Sequence, residues 1–140
     1  MTYHVQIMPS EMIQQLWPML EPFARKMVES DNHAFPNYSM DHILGYITSG
    51  QWLLIVAVDE GNIIQGAMTI AFENYPYHRV ALITGVSGKG VLNRDTLQQL
   101  TSIVKAKGAT KIQAYGKPSI ARLHRLLGFS EIATLTELVL

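Results

Sequence analysis

A run of seven apolar residues, Trp52 to Val58, is the feature that most restricts what this chain can fold into. It is far shorter than the ~20 apolar residues that cross a bilayer. A continuous apolar run of this length is typical of a strand buried on both faces of its sheet, and it predicts a strand from Trp52 to Asp59. Turn residues follow from Glu60 to Asn62, so we expect a hairpin whose second strand covers Ile63 to Phe72.

Two prolines govern the helical region near the start of the chain. Apolar and polar residues alternate up to Pro9, as in a half-buried strand, and Ser10 then caps a helical pattern. Pro18 and Pro22 each remove a backbone donor and clash with the preceding turn. We therefore expect two short helices, the second from Pro22 to Glu29.

The 140 residues are predicted to form one α/β domain, residues 1–140, with a mixed sheet. The patterns follow one another in the order β-α-α-α-β-β-β-α-β-α-β. Two adjacent hairpins then give three antiparallel strands in the centre, flanked by helices. The remaining predicted elements are a helix capped by Ser39 and ending at Gly50, a strand from Arg79 to Val86, a helix ended by Gly108, a strand from Lys111 to Tyr115, a helix from Pro118 to Gly128, and a final strand from Phe129 to Leu140.

Charge is distributed unevenly along a chain whose net charge is zero. Residues 1–78 contain two basic and eight acidic side chains, whereas residues 79–125 contain nine basic side chains and Asp95 as the one acidic residue. A basic half in a neutral chain indicates a site for a phosphorylated ligand in that half. The alternative interpretation is a set of lysines that solvate helix faces.

Several classes of protein are disfavoured by what the sequence lacks. It has no cysteine, which excludes disulfides, thiolate nucleophiles and zinc sites built on sulfur. The five histidines show no paired spacing with carboxylates, so we expect no metal site. The basic residues lack an interleaved aromatic set, which disfavours nucleic-acid binding. The first residues resemble no signal peptide, so we expect a cytoplasmic protein without a membrane partner.

Glycines cluster between a predicted strand and the helix after it, at Gly85, Gly88 and Gly90. Backbone amides in such a loop can approach phosphate oxygens because no side chain intervenes, and the helix N-terminus adds partial positive charge. Lys89 and Arg94 can add charge at the same place. A tight strand-to-helix connection is the alternative explanation of the glycines.

The order of elements and this loop resemble the GCN5-related N-acetyltransferase superfamily. The resemblance implies a mixed sheet with central antiparallel strands, and a loop, Gln/Arg-x-x-Gly-x-Gly/Ala, that receives the pyrophosphate of acetyl-CoA. Gly88 and Gly90 match the two small positions, whereas Gly85 stands where Gln or Arg is expected. A narrower resemblance is to short acetyltransferase-like proteins of bacteriophages and prophages, in the WP and YP turns, the segment GQWLLIVAV and the Leu-Gly-Phe after the last helix.

The segment KPSIARLHRLLGF, residues 117–129, is similar to a second motif of the superfamily, Asn-x-x-Ala-x-x-x-Tyr-x-x-x-Gly-Phe. His124 takes the place of the Tyr that protonates the departing thiolate, and Lys117 the place of the Asn near the pantetheine. The resemblance places the pantetheine along the strand from Ala81 to Val86 and the pyrophosphate on the amides of residues 87–91. The predicted cofactor-binding residues are Ile83, Thr84, Gly85, Val86, Ser87, Gly88, Lys89, Gly90, Val91, Arg94 and Lys117.

Attack on a thioester needs a neutral amine, so some group must accept the proton of the acceptor. Glu73, near the end of a central strand, is the first candidate for the base, and His78 is the second. By resemblance, Asp31, His33 and Tyr38 lie in the loop that covers the acceptor pocket. A single Glu at a strand end is also consistent with a solvated surface residue.

The predicted function is an acetyl-CoA-dependent N-acyltransferase that moves an acetyl group to an unidentified amine, small or on a protein, by direct attack in a ternary complex. The alternative is a catalytically degenerate protein of the same fold that acts as a phage virion component or binds a phage or host protein. The differences at Gly85, Lys117 and His124 favour this alternative. The last residues, ELVL, either complete the sheet or pair with a second subunit in a homodimer.

Overall fold

A five-stranded sheet forms the centre of the protein, with its strands in the order β1-β2-β3-β4-β5. The computed structural model describes residues 2–29, 38–116 and 118–140. The first four strands are antiparallel to their neighbours, and the last is parallel to the fourth. The predicted mixed α/β fold with central antiparallel strands is therefore confirmed. The strands are β1 (His4–Met8), β2 (Trp52–Val58), β3 (Ile64–Asn74), β4 (Arg79–Ser87) and β5 (Lys111–Ala114).

Helices cover both faces of this sheet, which explains the continuous apolar run of β2. Leu54 and Val56 pack on one face against α1 and α2, and Ile55 packs on the other face against α3. Side chains on both faces of the strand are therefore buried, and Leu53 alone among them is half-buried. The helices are α1 (Ser10–Glu29), α2 (Met40–Thr48), α3 (Arg94–Ala106) and α4 (Pro118–Leu126). No helix in the described ranges is long and apolar enough to cross a membrane.

The prediction of two short helices after Ser10 is wrong, because α1 is one helix of 20 residues that contains both prolines. Pro18 and Pro22 are one turn apart on the exposed side of α1, where water can bind the carbonyls that lose a donor. The opposite side is buried on the sheet, through Leu20 and Met27 among others. Buried residues before and after the prolines pack on the sheet, and this packing keeps the helix continuous.

The cap predicted at Ser39 is confirmed. The amide of His42 donates to Ser39 Oγ at 3.3 Å, and the amide of Ser39 donates to His42 Nδ1 at 3.1 Å. This reciprocal pair satisfies amides that the first turn of α2 leaves free.

The predicted strand from Phe129 to Leu140 is absent from the structure of the single chain, where residues 129–140 have no regular structure. A strand needs a partner for its backbone groups. In the described part of the chain β5 is the last strand of the sheet, and no segment pairs with its outer edge. The sheet therefore ends at β5.

The opposite edge of the sheet is protected by a side chain of α3. Gln99 Nε2 donates to the carbonyl of Tyr3 at 2.9 Å, and the amide of Val5 donates to Gln99 Oε1 at 2.8 Å. One glutamine amide thus satisfies two backbone groups that point outward from the outer edge of β1, as a neighbouring strand would.

Candidate functional site

Strands β4 and β5 stop pairing halfway along β4. They pair from Val80 with Lys111 up to Ile83 with Ala114, after which β4 continues alone to Ser87. On the other side β4 remains paired with β3 up to Ser87. The outer edge of residues 84–87 is therefore open, and it offers backbone groups to a ligand that can pair like a strand.

A β-bulge at Thr84 accompanies this opening. Ile83 pairs with Ile70 and Gly85 with Thr69, so Thr84 is an additional residue in β4. Its Oγ1 lies 3.0 Å from the carbonyl oxygen of Thr69 and 2.8 Å from Thr69 Oγ1. A bulge bends its strand and increases the local twist. The two threonines thus fix the bend at the point where β4 leaves β5.

The two glycines of the predicted phosphate loop, Gly88 and Gly90, have different surroundings. Gly88 has φ +116°, and a Cβ there would lie 2.6 Å from the carbonyl oxygen of Gln65 and 2.7 Å from the Cα of Gly66. Gly88 therefore packs directly on the backbone of β3. Gly90 has φ +69° and open space where a side chain would stand. The loop approaches the sheet at Gly88 and is accessible at Gly90.

Gly85 fills the position where the superfamily motif has Gln or Arg. A Cβ at Gly85 would lie 2.9 Å from Met27 Sδ and 3.1 Å from Thr69 Oγ1. A longer side chain would have to displace Met27 of α1, which is 1% exposed. The packing of α1 on β4 thus explains the departure from the motif, and only the backbone of residue 85 is available to a ligand.

The start of α3 is capped internally. Thr96 N donates to Asn93 Oδ1 at 2.9 Å, Asn93 N donates to Thr96 Oγ1 at 2.9 Å, and Thr96 Oγ1 donates to the carbonyl of Val91 at 2.5 Å. Thr96 is fully buried. These bonds occupy amides of the helix N-terminus, so an anion at this end would meet chiefly the amides of the loop before Asn93.

Ser87, at the end of β4, has a buried hydroxyl with no hydrogen-bond partner among the described residues. It is 5% exposed. A buried hydroxyl without a partner is costly, and such groups usually bind a water or a ligand. The orphan hydroxyl lies directly before Gly88 and thus at the junction of the open edge and the loop.

The predicted basic residues near the loop are placed unequally. Arg94 Nη2 lies 3.4 Å from the carbonyl oxygen of Leu126, so it links the start of α3 to the end of α4. Lys89 is exposed in the loop. Lys117 lies outside the described residues. Of the predicted cations, Lys89 is the one that the structure places within the loop itself.

His124 lies on α4 beside the end of β5. A Cβ on Gly116 would be 3.4 Å from His124 Cε1, and the His124 ring packs on Phe129 with 5.3 Å between centroids. Burial lowers the pKa of His124 below that of an exposed histidine. Burial therefore disfavours the protonated ring, which is the form of histidine that donates a proton readily.

Glu73 and His78 lie towards the hairpin end of β3 and β4, away from the glycine loop. Glu73 pairs with Val80, three residues before Ile83, which corresponds to about 10 Å along the strand. His78 Nδ1 lies 3.0 Å from Thr110 Oγ1. The structure does not bring these two residues together with the loop. A base at Glu73 would therefore have to accept a proton from an amine at the strand opening through at least one water molecule.

Tyr75 is a neighbour of Glu73 that the sequence reasoning missed. Its hydroxyl donates to Glu73 Oε2 at 2.6 Å, and this hydrogen bond, followed by the charge of Glu73, raises the pKa of Tyr75 above its ordinary value. Partial desolvation and then electrostatic repulsion from Tyr115, just beyond the end of β5, raise it further. The sequence of the turn hid the role of Tyr75, because a turn sequence does not reveal where its side chains point.

Aromatic residues form a wall on the α1 and α2 side of the same sheet region. Tyr38 packs edge-on against Trp52, with 4.9 Å between centroids, and Tyr46 stacks on Trp52 at 4.7 Å. Trp52 pairs with Ala71, two residues before Glu73. Tyr38, predicted to bind the acceptor, is thus part of this wall, whereas Asp31 and His33 lie outside the described residues.

No group of three or more metal-ligating side chains occurs in the described ranges.

A small apolar cleft lies between the helices and the sheet on the α1 and α2 side. Its lining includes Trp17, Met27, Ile47, Ala67 and Thr69. Thr69 therefore connects the cleft with the bulge of β4.

Comparison with known proteins places the fold. No model of a protein family matches the sequence, and no curated protein matches it. Among solved structures, the chain is similar to an aminoglycoside acetyltransferase from an uncultured soil metagenomic sample in complex with sisomicin, with a TM-score of 0.70, 11% identity and coverage of 99% of this chain and 95% of that one.

Two further structures extend the likeness. A predicted acetyltransferase with acetyl-CoA from Clostridium acetobutylicum has a TM-score of 0.66 and 18% identity, covering 99% and 96% of the two chains. An aminoglycoside 6'-N-acetyltransferase from Acinetobacter baumannii has a TM-score of 0.67 and 13% identity, covering 99% and 97%. Over almost its whole length, the chain thus has the fold of these acetyltransferases.

Proposed function

We propose that this chain, which has the fold of GCN5-related N-acetyltransferases, binds acetyl-CoA and transfers its acetyl group to an amine. The observation that carries the proposal is the opening between β4 and β5 after Ile83, with the orphan hydroxyl of Ser87 and the glycine loop at its end. Acetyl-CoA supplies the activated acyl group as a thioester. The residues of this chain bind it, orient the amine and move protons.

The open edge of β4 suits the pantetheine arm. Residues 84–87 span about 13 Å of unpaired strand, and the arm contains amides that can pair with them. Ile83 and Val86 add apolar contacts next to the arm, since both belong to the cluster on the α3 side. Thr84 holds the bend that keeps this edge clear of β5.

The loop of residues 87–91 suits the pyrophosphate. Gly90, with open space at its Cα, lets backbone amides approach the phosphate oxygens, and Lys89 lies beside them. The Ser87 hydroxyl, which has no partner among the described residues, lies buried at the start of the loop. Gly85 contributes backbone alone, because Met27 occupies the space of a side chain.

The acceptor amine enters from the α1 and α2 side in this proposal, along the wall that contains Tyr38. Its nitrogen attacks the thioester carbonyl, the carbon–sulfur bond breaks, and the amine proton passes through water to Glu73. Tyr75 orients the Glu73 carboxylate through their hydrogen bond. Tyr115, one residue past the last β5 pair and so beside the strand opening, is the proposed donor of the proton to the thiolate, because burial disfavours the protonated form of His124.

Calorimetry of the purified protein with acetyl-CoA tests the cofactor site. Gly90→Asp and Gly90→Asn form a matched pair, since both tolerate a positive φ and differ chiefly in charge. We expect wild-type binding with a Kd of about 10 µM, and at least about tenfold weaker binding for Gly90→Asp than for Gly90→Asn because the added carboxylate repels phosphate. Equal binding by the two variants would contradict the loop assignment.

A protein of the same fold without catalysis is the second candidate. It is favoured by the blocked side-chain position at Gly85 and by the distance of Glu73 from the strand opening. Assays of thiol release with a panel of amines separate the two candidates, and the panel starts with aminoglycosides because two of the similar structures are aminoglycoside acetyltransferases. Binding without turnover, or no binding at all, would favour the protein of the same fold without catalysis, for which a role in a phage virion or in contact with a host protein is the proposed alternative.

A further inference from the structure

We infer that the end of the sheet remote from the glycine loop binds single-stranded nucleic acid, through cations that the fold gathers there and the exposed ring of Tyr77 beside them. We call this surface, where β4 and β5 begin and α3 ends, the basic end, and its cations are Arg79, Lys105, Lys107 and Lys111. The inference concerns a second binding surface and does not depend on the proposed acetyl transfer.

The start of β5 brings three of these cations together from separate parts of the chain. The amide of Thr110 donates to the carbonyl of Arg79 at 2.8 Å, and Lys111 lies in register with Val80. Arg79 Nε donates in turn to the carbonyl of Lys107 at 3.0 Å. The side chains of Arg79, Lys107 and Lys111 therefore start from adjacent pieces of backbone.

The helix α3 is neutral along most of its length. Residues 96–104 contain no charged side chain, and Lys105 lies in the last turn. The helix dipole favours a cation at that position, but it does not account for Arg79 or Lys111, which lie on strands. The cations are therefore concentrated at one end of the sheet, and they do not solvate the face of this helix.

Arg79 is held in one orientation by neutral groups. Its Nη1 donates to Asn74 Oδ1 at 2.8 Å, and its guanidinium carbon lies 4.3 Å from the centroid of the Phe72 ring. The other N–H groups that these bonds and the bond to Lys107 leave over have no partner among the described residues. A planar guanidinium matches the oxygens of a phosphate with paired donors. Arg79 is thus preorganised to bind one.

The carboxylate of the adjoining hairpin faces away from Arg79. Glu73 follows Phe72 in β3, so its side chain lies on the other face of the sheet from Phe72 and Arg79, and Tyr75 donates to it. No cation of the basic end forms an ion pair with any residue in the described ranges. A group of cations without carboxylate partners attracts a polyanion.

Tyr77 gives the basic end an aromatic surface. Its side chain is 92% exposed, and it directly precedes His78 and Arg79. No aromatic residue interleaves with the lysines along the sequence, but the turn between β3 and β4 supplies this ring from another part of the chain. Bases stack on such rings beside a cationic surface, which is how single strands are bound without sequence preference. The ring therefore favours a nucleic acid over an acidic polypeptide.

The basic end is separate from the proposed cofactor site. Arg79 and Ser87 are the two ends of β4, about 26 Å apart along the strand. The helix α3 likewise begins at the glycine loop and ends at the basic end. Excess acetyl-CoA should therefore leave the binding of an oligonucleotide unchanged.

Fluorescence anisotropy of labelled oligothymidylate and oligouridylate, each about 15 nucleotides long, measures binding to the full chain. We expect a Kd of about 10 µM at about 50 mM salt for at least one of them, rising with salt. The double variant Lys107→Gln, Lys111→Gln should bind at least about fivefold more weakly and lower the slope of log K against log salt by about 1.4. The matched control is Lys26→Gln, Arg122→Gln, which removes two exposed cations from α1 and α4 and should bind like the wild type.

Replacement of Tyr77 tests the stacking. Tyr77→Ala should weaken binding at least about fivefold, whereas Tyr77→Phe keeps the ring and should bind like the wild type. Equal binding by Tyr77→Ala and Tyr77→Phe, or equal losses in the two double variants, would overturn the inference. So would the absence of binding at about 100 µM protein, displacement by acetyl-CoA, or displacement by polyglutamate as readily as by unlabelled oligonucleotide.

Discussion

The phenol of Tyr75 donates a hydrogen bond of 2.6 Å to the carboxylate of Glu73 across the turn that joins β3 to β4. Loss of the phenol proton would place two negative charges side by side and would break this hydrogen bond. The pKa of Tyr75 is therefore raised above its ordinary value. The relationship ties the proposed base to a residue whose titration can be followed directly.

Replacement of Glu73 by Gln should lower the pKa of Tyr75 towards that of an exposed tyrosine, because the charge that opposes ionisation is removed. NMR titration of tyrosine carbons labelled at the phenol measures this shift. Glu60→Gln, an exposed Glu in the turn between β2 and β3, is the matched control and should leave Tyr75 unchanged. An unchanged Tyr75 in Glu73→Gln would show that the two side chains are apart in solution.

The two loop glycines should differ in their tolerance of alanine. Gly88→Ala places a Cβ 2.6 Å from the Gln65 carbonyl oxygen, so we expect a loss of about 2–4 kcal/mol in the free energy of unfolding. Gly90→Ala has open space and a positive φ, which costs about 1 kcal/mol. Urea denaturation compares the two variants. Similar losses would mean that Gly88 does not pack on β3 as described.

His124 should make stability depend on pH in the acidic range. Its pKa is lowered in the folded protein, so the unfolded chain takes up a proton first as the pH falls. Stability is then fully present above the unfolded pKa and is lost as the pH falls from about 6.5 towards the lowered folded value. Denaturation at about pH 8 and about pH 5 should show a smaller loss for His124→Gln than for the wild type.

The exposed His4 supplies the control for this comparison. His4→Gln should retain the pH dependence of the wild type. An equal loss in all three proteins would place the acid sensitivity elsewhere in the molecule.

Thr96 should contribute more to stability than an ordinary helical threonine. Its buried hydroxyl binds the Val91 carbonyl and the Asn93 amide, and Thr96→Val leaves both without that partner. We expect a loss of about 1–3 kcal/mol by thermal or urea denaturation. Thr101→Val, which removes a single bond to the Leu97 carbonyl within α3, should cost less. The reverse order would contradict the capping geometry.

Local chemistry made part of the fold predictable. The cap at Ser39 depends on residues three apart, and the hairpin between β2 and β3 depends on a turn directly after the apolar run. The prolines of α1 were misjudged because their effect depends on which side of the helix faces water. That side is decided by packing against β-strands far along the chain.

The arrangement of the candidate site depends even more on contacts between residues that are far apart in the sequence. The glycine cluster was visible in the sequence, but the reason for Gly85 lies in Met27, almost 60 residues away. The distance of Glu73 from the strand opening follows from the register of β3 on β4. Register is set by the whole sheet, so the sequence around Glu73 could not reveal it.

The additional residue at Thr84 also shifts, by one position, the alternation of β4 side chains between the two faces of the sheet. Before it, Ala81 and Ile83 point to the α3 side, and after it Val86 does so, while the Cα of Gly85 faces Met27. With strict alternation from Ile83 onwards and no bulge, Gly85 would face α3 and Val86 would face Met27. The extra residue therefore puts the one position without a side chain against the closely packed helix, and it turns the apolar Val86 into the core on the α3 side.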